Sequence, residues 1–330
     1  MARVMMDHRE RIEACMANEQ VDRPAVALWR HFPVDDQDPL SLAEAAIELQ
    51  RRYDFDLVKI SPSSSFCIKD WGSQDEWNGA VEGTRDYTKR VIQVPDDWEK
   101  LAPLDPNQGY LAAQLECMRL IVAELSAEVP VIQTVFNPLS QAKNLIGADD
   151  LSVHLRKYPE QLKAGLKTIA VSIQRFLEAG LETGVDGIFY AVQHAQYGLF
   201  SEQEYESFGT AFDRLALQPI DKYAINMLHL HGRQVMFDHF LDYPFGIINW
   251  HDRESPPSLK EARGKFSGAL CGGLRRQETM VLGTPEQVKL EARDAIQQTG
   301  GRGLILGTGC VMPTIVPRAN IVAARQSVEV

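Results

Sequence analysis

Apolar residues along the chain gather in short unbroken runs, separated by longer stretches in which apolar and polar positions recur with helical spacing. The runs lie at 25–29 (AVALW), 57–60 (LVKI), 131–136 (VIQTVF), 187–192 (GIFYAV), 224–230 (AINMLHL), 246–250 (GIINW), 267–271 (SGALC) and 303–306 (GLIL). Most lack strict alternation, as expected of strands covered on both faces. Amphipathic stretches at 42–53, 111–125, 159–180, 202–219, 285–299 and 317–327 read as helices. Pro285 and Pro317 stand where a helix can begin, with Thr284 as an N-cap before the first. Eight strands alternating with helices predict an α/β fold, a (β/α)8 barrel, with a doubly wound open sheet as the alternative. Residues 66–110, with many Asp, Asn, Gly and Trp, read as an insertion at the mouth after the second strand. No repeat or low-complexity linker divides the chain, so residues 1–330 are expected to form a single domain.

Charge narrows the choice of partner. With 34 Lys+Arg against 45 Asp+Glu the formal net charge is −11. No basic block offsets it, which argues against nucleic acid or an anionic membrane as the main partner. Five widely spaced cysteines, an odd number, do not form a secreted disulfide framework. The first twenty residues lack an apolar core of the signal-peptide kind, and no apolar run approaches about 18 residues. A soluble, cytoplasmic protein is expected.

In a barrel, chemistry gathers where strands end. Those ends carry Arg30 and His31, the serines of 61–65, Asn137, Gln193 and His194, His229 and His231, His251 and Asp252, Cys271, and Thr308 and Cys310. Five of the eight histidines fall there, which favours a polar mouth that can bind metal. His229 and His231 stand two apart on a strand and so face the same side. With the thiolate of Cys310 they would complete a three-ligand zinc site with an open fourth position. The metal-free alternative has one histidine bonding a buried carbonyl and the other touching substrate. His251 could act as an acid/base group beside Asp252, or Asp252 could merely cap a turn. Arg30 beside His31 suits an anionic substrate group, and equally a structural ion pair. Gln193 and His194 could offer substrate neutral hydrogen bonds, with His194 a second catalytic candidate. Neither a phosphate-binding glycine loop nor a G-x-S-x-G elbow is present.

The order of motifs resembles the uroporphyrinogen decarboxylase superfamily over nearly the whole chain. The resemblance rests on Val21-Asp22-Arg23-Pro24-Ala25-Val26 with Trp29-Arg30, then Phe136-Asn137-Pro138. Cys271-Gly272-Gly273-Leu274, Gly283-Thr284-Pro285-Glu286 and Leu306 through Pro313 continue it. It implies a (β/α)8 barrel, often dimeric. Two branches compete. True decarboxylases carry R-Q-A-G-R and F-S-D; here Arg30 remains, Val34 takes the second arginine's place, and Ile60-Ser61-Pro62 replaces F-S-D, so the aspartate is missing. The corrinoid-linked methyltransferases hold zinc with H-x-C and a late G-C; here His229 and Cys310 match, while His231 replaces the middle cysteine. The resemblance therefore implies a zinc-dependent methyltransferase. It would use cobalamin, or a corrinoid protein, with a small-molecule substrate held by Arg30, His31, Asn137, Gln193 and Asp252. A decarboxylase relying on Arg30 and His251 is the runner-up, and a non-catalytic binding barrel the third reading.

Overall fold

The computed structural model describes residues 5–329; residues 1–4 and 330 of the expected domain lie outside the described residues. The strands are β1 (Ala25–Val26), β2 (Val58–Ile60), β3 (Gln74–Glu76), β4 (Asp86–Lys89), β5 (Val131–Phe136), β6 (Gly187–Val192), β7 (Met227–Leu230), β8 (Ile247–Trp250), β9 (Ala269–Leu274) and β10 (Leu304–Thr308). Eight of them form one sheet in the order β1-β10-β9-β8-β7-β6-β5-β2, every pairing parallel. The sheet curls into the expected (β/α)8 barrel. Each of the eight apolar runs overlaps one of these strands, and six contain theirs whole, while β9 and β10 extend beyond the runs 267–271 and 303–306. All residues of β5, β6 and β9 are buried, because barrel strands face side chains inside and helices outside. The helix Pro159–Leu181 covers the sheet with Leu162, Leu166, Ile169, Ile173 and Phe176, spaced to form one stripe.

The insertion after β2 forms an antiparallel hairpin, β3 with β4, lying at the barrel mouth. The helix expected at 202–219 is interrupted. Glu202–Tyr205 and Ala211–Ala216 are α-helical, and a wider π-type turn spans Glu206–Thr210. A regular helix returns to the same face after seven residues, and one extra residue makes that eight. Tyr205 and Asp213 consequently meet: the Tyr205 hydroxyl donates to the Asp213 carboxylate at 2.9 Å. Tyr190 donates to it as well, at 2.7 Å.

Closure between β1 and β2 runs through one side chain. No strand pairing joins them; instead the Asp56 backbone N–H donates to the Val26 carbonyl, and the Val26 N–H donates to the Asp56 carboxylate, both at 2.8 Å. Arg11 (2.6 Å), Arg23 (2.7 Å) and His8 (2.8 Å) complete the shell of this fully buried carboxylate. Burial alone would raise the Asp56 carboxyl. Hydrogen bonds from His8 and Arg23, with the charges of Arg23 and Arg11, outweigh that and hold it well below the usual range. Removing one member of such a cluster leaves buried charge uncompensated, at a cost of about 3–5 kcal/mol. Asp56→Asn is expected to lose that much in urea unfolding at pH 7. A depressed carboxyl contributes stability above its unfolded value and loses it as pH falls, so the gap between wild type and variant should shrink below about pH 4. Equal unfolding midpoints at pH 7 would contradict this account of the seam.

Candidate metal centre

Four side chains converge at the C-terminal ends of three strands. His229 lies in β7 with His231 just beyond it, His251 follows β8, and Cys310 follows β10. One donor atom from each lies within 4.8 Å of every other. His251 Nε2 stands 3.4 Å from His231 Nδ1, and Cys310 Sγ stands 3.7 Å from that same nitrogen. Tetrahedral zinc, with Zn–N near 2.0–2.1 Å and Zn–S near 2.3 Å, has N···N edges of about 3.3–3.4 Å and N···S edges of about 3.6 Å. The two separations around His231 match such edges, and imidazole and thiolate are donors that suit zinc.

The surroundings fix the orientation of these groups. The Asn249 amide donates to the carbonyls of Cys271 (2.9 Å) and Thr308 (3.1 Å), which leaves its oxygen facing His229 Nδ1 at 2.7 Å. His229 then carries a proton on Nδ1, which leaves Nε2 as the atom turned toward the other donors, the tautomer a metal-binding imidazole adopts once Nε2 is free of its proton. Gly309 lets the end of β10 approach: a Cβ there would lie 2.8 Å from the Trp250 carbonyl and 2.6 Å from the His251 Cα. Burial would raise the Cys310 thiol, but the charge of His229 and hydrogen bonds with His229, His231 and His251 hold it well below the ordinary range. Burial pulls His229 down, against the opposing effect of Cys310.

These donors, apart from His251, border a cavity of about 560 Å³. His31, Gln193 and His194 line it. His31 Nδ1, His194 Nδ1 and Gln193 Oε1 are buried there without hydrogen-bond partners. Burial and the charge of Lys59 take His31 to about 4, and burial with Lys143 takes His194 to about 3. Both are neutral at pH 7, so His194 is suited to hydrogen bonding rather than to donating a proton as an imidazolium.

Three residues expected to hold substrate, Arg30, Asn137 and Asp252, do not line this cavity. With His31 turned into the cavity, the adjacent Arg30 faces away, as neighbours in an extended segment do. It reaches the Thr314 carbonyl at 3.4 Å and packs over Phe32. Asn137 caps the helix Pro138–Ile146, accepting from the Ser140 N–H at 3.0 Å, and donates to Asp213 at 3.1 Å. Asp252 accepts from the Gly273 N–H at 3.0 Å, and no hydrogen bond joins it to His251. His251 instead lies 3.8 Å from Glu254 and joins the donor set as a fourth member. The sequence reading missed Lys59, Lys143, Arg276 and the hairpin residues Glu82 and Arg85, all lining the cavity. A lysine inside the apolar run 57–60 was the available signal for the first.

The family model for uroporphyrinogen decarboxylase (URO-D) matches residues 7–329. A methylcobamide:CoM methyltransferase, MtbA, of Methanosarcina acetivorans is 22% identical over 335 residues, 95% of each chain. A uroporphyrinogen decarboxylase of Trichodesmium erythraeum is 22% identical over 241 residues, covering 70% of this chain and 66% of its own. Among solved structures, a methyltransferase from Methanosarcina mazei superposes with a TM-score of 0.86 at 18% identity, covering 98% of both chains.

The geometry singles out one cysteine. Cys15 and Cys117 are pushed up to about 12 by burial, and burial raises Cys67 and Cys271 too. In chelator-treated protein at pH 7, iodoacetamide should label Cys310 first, because the thiolate is the nucleophile. His229→Ala should slow that labelling by about tenfold or more, read by peptide mass mapping. Uniform labelling of all five thiols would contradict the electrostatic picture.

Proposed function

The chain belongs to the uroporphyrinogen decarboxylase family, and within that family we propose that it is a zinc-dependent methyltransferase, moving a methyl group between a corrinoid and a small-molecule substrate. One observation carries the reading: the clustered donor set of His229, His231, His251 and Cys310, of which His229, His231 and Cys310 border the cavity. The similarity to methyltransferases over nearly the full chain supports it. A zinc ion held there would supply Lewis acidity, lowering the pKa of a thiol or polarising an oxygen- or nitrogen-bound methyl group.

The chain's own residues supply the rest. Asn249 holds His229 in the metal-binding tautomer, and Gly309 brings Cys310 against His251. Phe189 stacks on the His229 ring with centroids 5.0 Å apart and shields one side of the donors. His31, Gln193 and His194 present unpaired polar atoms to a substrate in the cavity. With three protein donors the fourth position stays open to substrate; with four, His251 must yield it or the metal must expand its coordination. The corrinoid, free or on a partner protein, would approach the same mouth.

The decarboxylase alternative relied on Arg30, which faces the Thr314 carbonyl rather than the cavity. Methyl transfer should therefore depend on His229 and Cys310 and hardly on Arg30. In a methylcobalamin demethylation assay, His229→Ala and Cys310→Ala should lose bound zinc and at least about a hundredfold in rate, whereas Arg30→Ala should stay within about threefold. A parallel porphyrinogen assay supplies the opposite outcome. Zinc-independent decarboxylation that survives both ligand substitutions and collapses in Arg30→Ala would make the methyltransferase reading wrong.

A further inference from the structure

A second buried carboxylate lies outside the barrel wall, and no cation neutralises it. Asp213, on the short helix Ala211–Ala216, is fully buried, and among the described residues no Lys, Arg or His comes within ion-pair distance of it. Four neutral donors surround it instead. Tyr190 of β6 (2.7 Å) and the Asn137 amide (3.1 Å) donate to Oδ1, while Tyr205 (2.9 Å) and Tyr243 (3.3 Å) donate to Oδ2. Asp56, by contrast, gathers two arginines. Burial raises the Asp213 carboxyl to about 6, against the opposing effect of its four donors. Replacing buried ionic groups by apolar residues of similar volume is often neutral or stabilising, so packing alone does not account for this one.

What an ionised carboxylate adds is direction. It only accepts hydrogen bonds, so Asn137 turns its NH2 group toward Asp213 and its Oδ1 the other way. That oxygen accepts from the Ser140 hydroxyl at 2.5 Å and from the Ser140 N–H at 3.0 Å. With its proton committed to Asn137, the Ser140 hydroxyl accepts in turn from the Gln193 backbone N–H at 3.1 Å. The Gln196 amide holds the Gln193 carbonyl at 2.8 Å. A one-way chain thus runs from Asp213 through Asn137 and Ser140 to the backbone of Gln193. The alternation of β6 carries it across the wall: Phe189, Ala191 and Gln193 line the cavity, while Tyr190 between them points outward to Asp213. At the cavity end, Gln193 Oε1 is buried without a partner in the protein.

We infer that Asp213 is a positioning residue for this cavity: through Asn137 and Ser140 it holds the backbone of Gln193, so that Gln193 Oε1 accepts a hydrogen bond from an N–H or O–H group of the substrate. Neither Asp213 nor Ser140 borders the cavity itself. Asn137, expected to touch substrate, serves it from one step behind. The inference rests on the methyltransferase reading only in taking the cavity as the substrate site. An asparagine at position 213 carries a donor as well as an acceptor, so the Asn137 amide is no longer forced into one orientation and the link to Gln193 loosens. A neutral hydrogen bond of this kind is worth about two- to tenfold in an equilibrium.

The test compares full-length wild type, Asp213→Asn, Ser140→Ala and the double variant at pH 7, with folding checked by circular dichroism. Hydrogen exchange of the Gln193 amide, read by mass spectrometry, should be about two- to tenfold faster in each single variant. The double variant should exchange no faster than Ser140→Ala, because both substitutions cut one chain. The second readout is methylcobalamin demethylation by 2-mercaptoethanol, a thiol that carries an O–H donor. Asp213→Asn should raise its KM about two- to tenfold with kcat within about twofold, and should add nothing in a Gln193→Ala background. General loosening of the fold would not give that pattern. A wild type without demethylation removes the methyltransferase reading, and the exchange result then decides the inference by itself. Ser140→Ala leaves the Asp213 cluster intact, so it decides the matter if Asp213→Asn does not fold. Unchanged exchange at Gln193 in folded Asp213→Asn or Ser140→Ala, single effects that multiply in the double variant, or a KM effect that persists without the Gln193 side chain overturns the inference.

Discussion

The buried Asp56 carboxylate is the interaction on which the rest of the barrel depends. A parallel barrel must satisfy the backbone of every strand, and β1 and β2 share no ladder. Asp56 bridges them with its own N–H and one carboxylate oxygen, while the N-terminal helix delivers Arg11 and His8 to the remaining lone pairs. Without those cations the buried charge would be prohibitive; with them it becomes a rivet between helix, loop and two strands. The functional consequence follows from what the joined segments carry. His31 comes just after β1 and Lys59 lies within β2, so the seam sets one wall of the cavity.

The ends of β7, β8 and β10 deliver the four clustered donors. Their convergence needs both close backbone approach at Gly309 and an oriented imidazole at His229. Asn249 links the two requirements, because its amide ties β8 to the backbones of Cys271 and Thr308 while its oxygen holds the histidine. Positioning groups on strand ends, rather than on mobile loops, gives the precision that a metal site requires.

Much of this was legible in the sequence because the signals were local. Each apolar run overlapped its strand, and the same-face spacing of His229 and His231 followed from strand geometry alone. The late cysteine was recognisable as a strand-end residue. What escaped depended on three-dimensional direction. Arg30 and His31 are adjacent, and nothing in the run 29–33 says which one turns inward. Asn137 carries the same polar side chain whether it caps a helix or touches a ligand, and the helix Pro138–Ile146 was not anticipated. The tyrosine–Asp213 contact requires a π-type turn that no hydrophobic period announces. Lys59 stood out in the sequence only as a lysine inside an apolar run; that it lines the cavity is revealed by the folded barrel.

Three imidazoles and one thiolate carry a formal charge of −1, so a divalent cation among them leaves the centre at +1. Lys59 and Lys143 line the same cavity, pulled down by burial to about 7 and about 8, inside a protein whose net charge is −11. The two facts are compatible because they act at different ranges. Surface charges are screened over about 8 Å at physiological ionic strength, whereas buried ones are screened far less. The net negative charge therefore does little to attract an anion from a distance. Selection falls to the interior, where screening is weakest.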